Sequence, residues 1–145
     1  MPDATPPAPA PDSPPRGPDR RLSLRVMTMP KDTNLYGTIF GGVILSYIDQ
    51  AGFVEARHHG VHRWVTASLD RVDFVAPVHT GDIVSFYTQT TRKGTRSVTV
   101  CVEVEAERFE SSEKVRVTTA TITLVSVDRH GKPIPFASPP TVSPE

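Results

Sequence analysis

The sequence predicts an α+β fold, a long central helix wrapped by a curved antiparallel sheet of five or six strands. Three observations carry that expectation. Only one stretch, about 41–58, has helical periodicity over several turns; four long runs of strand character follow it; and the last three of these runs are joined by turns of hairpin length, which pair neighbours antiparallel. An antiparallel sheet with one apolar face needs a cover, and here a single helix must supply it.

The chain has 145 residues, one domain's worth, with 16 basic and 16 acidic side chains. Thirteen of its 15 prolines fall before Arg20 or after Lys132, so that residues 21–132 hold only Pro30 and Pro77. The folded domain is expected over residues 21–136, with residues 1–20 and 137–145 as disordered tails, because a Pro-rich segment sustains neither a helix nor a ladder. The first segment has no apolar core of a signal peptide, and no run of about 18 apolar residues could span a membrane. Balanced charge, with no basic block among aromatics, argues against nucleic acid as a partner. One cysteine, Cys101, cannot form an internal disulfide and fits a reducing cytoplasm.

The elements follow in order. Leu22, Leu24 and Val26 alternate with Arg21, Ser23 and Arg25, a half-buried strand that Pro30 ends. The helix runs from about Gly41 to His58 and closes near Gly60. A strand from Trp64 to Val75 is stopped by Pro77 and the turn His79-Thr80-Gly81-Asp82. Ile83 to Arg92 leads into the turn pair Lys93-Gly94. Arg96 to Phe109 places Val98, Val100, Val102, Val104 and Ala106 on one face. Lys114 to Val127 ends at Asp128-Arg129-His130-Gly131.

At about 100° per residue, Phe40, Val43, Ile44, Tyr47, Ile48, Ala51 and Val54 share one side of the helix. The opposite side holds Leu45, Gly52, Phe53 and Ala56, and Asp49 among them. A helix apolar nearly all round needs a second covering surface, which a second copy of the chain would supply. Asp49 would then be a carboxylate at a subunit interface in apolar surroundings, where an unpaired charge is costly. The plainer alternative is a helix-face Asp that reaches solvent or pairs with an Arg.

Asp32-Thr33-Asn34-Leu35-Tyr36-Gly37-Thr38-Ile39-Phe40-Gly41-Gly42 leads straight into the helix, with Asp49 seven residues on. Val65-Thr66-Ala67-Ser68, Val72-Asp73-Phe74 with Pro77-Val78, Gly81-Asp82 and Gly94-Thr95-Arg96-Ser97 follow in order. This ordered set resembles the acyl-CoA thioester hydrolase branch of the hotdog superfamily, which includes short bacterial YciA-type enzymes and vertebrate cytosolic acyl-CoA hydrolases. The resemblance covers about Met27 to Phe136. It implies hydrolysis of acyl-CoA by Asp49, with Asn34 assisting across a dimer interface, no cofactor beyond the coenzyme A of the substrate, and assembly of dimers into trimers of dimers.

The residue chemistry suits that implication. Thioester hydrolysis needs a base or nucleophile for the carbonyl carbon and donors for the oxyanion. Asp49 can serve as either; Asn34 can orient water or donate. Gly41 and Gly42 sit where a helix start offers free N–H groups and where the missing Cβ allows close approach, although two glycines also make a tight turn. Arg92, Lys93 and Arg96, with Ser97, cluster at one turn as candidates for the CoA phosphates, or as a solvated hairpin tip. The family's Gly-Arg-Thr-Ser order is changed here to Gly94-Thr95-Arg96-Ser97. Thr66 and Ser68 are candidates beside the groove, or ordinary strand hydroxyls. Chain length would depend on packing around Tyr47, Phe53 and Phe74.

Other chemistries are weaker. His58, His59 and His62 flank Gly60 without a carboxylate or cysteine to complete a metal site, so they are read as surface histidines near a helix end. No G-x-S-x-G elbow or dinucleotide fingerprint occurs. A non-catalytic acyl-CoA sensor on the same fold is the main alternative, and a dehydratase of the superfamily a third.

Overall fold

The computed structural model describes residues 14–142. In chain order they form β1 (Arg21–Met27), a short 3-10 turn (Pro30–Asp32), α1 (Gly41–Arg57), β2 (Arg63–Asp70), β3 (Ile83–Lys93), β4 (Ser97–Glu107) and β5 (Lys114–Val127). The five strands make one sheet in the order β1-β3-β4-β5-β2, every neighbouring pair antiparallel. The helix touches all five strands, so the expected hotdog arrangement of a helix wrapped by a sheet is present, with five strands.

The alternation read along β4 forms the core. Val98, Val100, Val102, Val104 and Ala106 are all fully buried, facing Ile44, Ile48, Ala51 and Ala56 of α1. Burying such an aliphatic side chain contributes about 1.5–3 kcal/mol. The helix is rolled relative to its apolar stripe. Phe40 and Val54 are exposed, whereas Gly52 and Ala56, expected on the opposite side, point inward. The reason is a close approach: a Cβ on Gly52 would lie 2.9 Å from Ile122 Cγ2. Gly52 and Ala56 therefore share the line of contact with Ile44 and Ile48, while Phe40, Phe53 and Val54 are turned out.

Glu55 is also inward. Its carboxylate accepts the hydroxyls of Thr88 at 2.9 Å and Thr90 at 2.7 Å, and Arg21 Nε stands 3.3 Å away. These partners offset the cost of removing the charge from water.

Two strands differ from expectation. In β1 a bulge between Leu22 and Leu24 breaks the alternation, so Leu22 pairs beside Tyr87 on the outer face while Leu24 and Val26 face the helix. β2 ends at Asp70 rather than Val75, because Arg71 adopts a left-handed φ of 48° that no strand accommodates.

Segments expected as tails make contacts within 14–20 and 137–141. Arg16 donates its N–H to Gln89 Oε1 at 3.2 Å and accepts from Gln89 Nε2 at 3.1 Å. Arg20 lies 3.4 Å over the Tyr87 ring and bonds Glu103 at 3.2 Å, which explains why Gln89 and Glu103 on the outer face are buried. At the other end, Phe136 N–H donates to Thr95 O at 3.1 Å and Thr141 N–H to Val61 O at 3.1 Å. Residues 1–13 and 143–145 of the expected tails lie outside the described residues.

Candidate active site

Asp49 lies on the exposed side of α1, and the Thr66 hydroxyl of β2 donates to its Oδ1. Strand register explains the meeting. Thr66 pairs with Leu124, and Leu124 packs beneath Gly52, so Thr66 is on the helix side of the sheet. A bulge at Ala67 then shifts the register, pairing Ser68 with Thr123 and turning it to the other face. Of these two candidates the fold brings Thr66 to Asp49 and keeps Ser68 away.

An open cleft of about 590 Å³ runs along this side. Asp49, Gln50 and Thr66 form its polar end; Phe53, Val54, Trp64 and Val65 line the rest. Gln50 was not singled out from the sequence, where only its place beside Asp49 could have marked it. Trp64 was seen there only as the start of a strand.

Asn34 organises the loop before the helix. Its Oδ1 accepts the N–H groups of Tyr36 at 2.8 Å and Thr38 at 3.1 Å, and its Nδ2 donates to Thr38 Oγ1 at 2.8 Å. This Asx turn, closed by Gly37 at φ 82°, holds Leu35 and Tyr36 outward, 97% and 89% exposed. All of the Asn34 hydrogen bonds among the described residues stay inside the loop, none reaching Asp49. One N–H of the carboxamide is left over, since the group has two.

Gly41 and Gly42 open α1. The cap residue Phe40 makes no side-chain cap bond, and the first turn closes with Val43 N–H donating to Phe40 O at 3.0 Å. The N–H groups of Gly41 and Gly42 thus precede the helical ladder. A Cβ on Gly42 would meet nothing within 4 Å, whereas one on Gly41 would lie 3.4 Å from the Phe74 ring.

The basic turn is further off. Lys93, Val98, Leu124 and Thr66 form one row across β3, β4, β5 and β2, so Lys93 is three strands, roughly 14 Å, from Thr66. Phe136 contacts both Thr95 in this turn and Trp64 in the cleft wall. Within one chain, none of Arg92, Lys93, Arg96 and Ser97 lines the cleft that holds Asp49.

Of the three histidines expected at the surface, His58 is exposed, whereas His59 is half-buried and His62 is not solvated. His62 is buried, its Nε2 2.9 Å from Phe136 O and its Nδ1 2.9 Å from Thr141 Oγ1. His59 Nε2 lies 2.8 Å from Thr90 Oγ1, and burial pulls its pKa below 6.5 against the opposing attraction of Glu55. No group of three or more His, Cys, Asp or Glu among the described residues is placed to hold a metal ion. The docking of the 136–141 segment, which composition does not reveal, makes the difference for His62.

Known proteins match this arrangement. A family model described as the thioesterase superfamily matches residues 36–110. An uncharacterized acyl-CoA thioester hydrolase, YkhA of Bacillus subtilis, is 40% identical over 116 residues, covering 80% of this chain and 66% of that protein. The acyl-CoA thioester hydrolase YciA of Escherichia coli is 37% identical over 119 residues, covering 80% of this chain and 90% of the relative. The crystal structure of a hexameric hotdog fold thioesterase of Campylobacter jejuni superposes with a TM-score of 0.76 at 46% identity, covering 79% of this chain and 89% of that one. With Asp49 at the helix, the glycine-led entry before it and a five-stranded wrap around it, the chain belongs to the thioesterase superfamily, in its YciA-like acyl-CoA thioester hydrolase branch.

Proposed function

We propose that the protein hydrolyses fatty acyl-CoA to free fatty acid and coenzyme A, with Asp49 as general base or nucleophile and Asn34 of the partner subunit assisting. The observation that carries this reading is the Asp49 carboxylate, held at Oδ1 by Thr66 at the polar end of an otherwise apolar cleft. Oδ2 is then free for the reaction. As a base it takes a proton from water while the water oxygen attacks the thioester carbon. The tetrahedral intermediate collapses, the C–S bond breaks, and the thiolate of coenzyme A leaves with that proton. As a nucleophile Oδ2 attacks directly, the thiolate leaves, and water then cleaves the anhydride. Either way an oxyanion develops, and the spare Asn34 N–H with the Gly41 and Gly42 N–H groups are the donors for it. The only further molecule required is water, so no cofactor is assigned.

Self-association supports the cross-subunit role. Asn34 and Asp49 are separate within one chain, and β2 is a sheet edge. Val65 and Leu69 on that edge, with Leu35, Tyr36, Phe40, Phe74 and Val75, are exposed apolar side chains, more than a soluble monomer ordinarily leaves uncovered. Pairing of copies would cover them and place one protomer's loop against its partner's carboxylate. The hexameric Campylobacter jejuni relative supports a trimer of dimers. Arg92, Lys93 and Arg96, with Ser97, are assigned to the CoA phosphates of a substrate held by a neighbouring copy, since within one chain their turn adjoins the apolar Trp64 end of the cleft. Among the described residues no helix is long and apolar enough to cross a membrane, and a cytoplasmic location is the reading its single cysteine supports.

The test is release of free thiol from acyl-CoAs by the purified protein. Asp49→Ala should lower kcat by about 10³-fold or more while thermal melting and gel filtration stay as in the wild type; full activity in that variant would overturn the mechanism. Tight binding of acyl-CoA by the wild type without turnover would make it a sensor instead.

A further inference from the structure

The cleft has two unlike ends, and so has the substrate. Thr66 and Trp64 are two residues apart on the helix side of β2, about 6–7 Å along the strand, and Phe53 lies one helical turn beyond Asp49. Leaving the reactive carboxylate in this direction, the cleft is lined by Phe53, Val54, Trp64 and Val65, without a charged side chain. A hydrocarbon chain suits such walls; the amides and phosphates of the CoA arm do not.

Trp64 is the largest side chain lining this end, and it is held in place by its neighbours. It is 5% exposed, and its indole N–H donates to Gly60 O at 3.0 Å, which sets the orientation of the ring. The Phe136 ring backs it at 5.9 Å and the His62 ring at 6.4 Å. Phe136 is in turn pinned by His62 Nε2 on its carbonyl and by its own N–H on Thr95 O. There is no slack at this junction, since a Cβ on Gly60 would lie 2.7 Å from Phe136 O. A chain end arriving here meets a supported indole rather than a side chain that can swing aside.

We infer that Trp64, braced by Phe136, is the residue that limits the length of the acyl chain the enzyme accepts. The inference rests on the acyl-CoA hydrolase reading and deepens it by assigning the apolar end of the cleft to the acyl group.

Thiol release across acyl-CoAs from acetyl to palmitoyl, measured for the wild type, Trp64→Val, Trp64→Phe and Phe136→Ala, tests this. In Trp64→Val the ratio of kcat/KM for the longest substrates to that for the shortest should rise about tenfold or more, with a smaller rise in Trp64→Phe and in Phe136→Ala. Thermal melting and gel filtration report folding; should Trp64→Val not fold, Trp64→Phe, which keeps one ring but loses the N–H bonded to Gly60 O, decides the matter. A length profile unchanged in folded variants overturns the inference. So does an equal loss at every chain length, which would place Trp64 against the CoA arm. A wild type inert toward every acyl-CoA would overturn the hydrolase reading itself, and this inference with it.

Discussion

The Thr66 hydroxyl holds one oxygen of Asp49 and, in the mechanism proposed above, leaves the other for the reaction. Asn34 has a comparable double duty, shaping its loop with most of its hydrogen-bonding capacity and keeping a single N–H in hand. Of the titratable residues, His59 makes the clearest prediction. Burial lowers its pKa from 6.5, so the folded state binds this proton less readily than the unfolded chain. The resulting stability is present above 6.5 and is lost as pH falls through the lower folded value. The melting temperature should therefore decline below about pH 6.5, and His59→Gln should flatten that decline; a parallel pH profile in the two proteins would remove His59 as its source. Asp49, Asn34 and the two glycines were legible in the sequence because their spacing is a local property. Glu55 was not, because its burial depends on Arg21, Thr88 and Thr90, which stand 33 or more residues away in the chain.

Among the elements, the helix and β2 together build the site, and each is placed by one departure from regularity. Gly52 lets α1 settle onto Ile122 and Leu124. An added methyl there would meet Ile122 Cγ2, a branch close to the backbone that cannot swing clear. Overpacking of that kind costs about 1–3 kcal/mol, while alanine's better helix propensity returns about 1 kcal/mol. Gly52→Ala should thus be destabilised by about 1 kcal/mol in chemical denaturation, and kcat should fall as well, because Asp49 lies one turn away. A stabilised variant would mean that the helix is not seated as described. In β2 the bulge at Ala67 separates Thr66 from Ser68, which regular strand alternation would put on the same face.

For the whole molecule the decisive question is whether a site is built from two copies. If Asn34 of one protomer serves Asp49 of its partner, Asp49→Ala and Asn34→Ala are each defective alone but complementary together. A mixed dimer then holds one site with both residues intact and one with neither. Random pairing of equal amounts, by co-expression or by unfolding and refolding together, should restore about a quarter of the wild-type sites. A mixture no more active than its components would show that the two residues act within one chain. The same assembly would cover Leu35 and Tyr36, whose exposure in the single chain has no other physical account.

By itself the sequence determined the order of elements, the helix start, the valine face of β4 and the constellation of Asn34, Gly41, Gly42 and Asp49. Each of these is set by spacing along the chain, and spacing is all that a periodic pattern needs. Tertiary structure alone decided which side of α1 is inward, which of Thr66 and Ser68 meets Asp49, and that Trp64, His62 and Phe136 form a wall. A bulge of one residue reverses the face of everything beyond it, and a close approach at one glycine rolls a whole helix. Such choices come from contacts between distant segments, here β2, β5 and the 136–141 segment, and no local pattern encodes them.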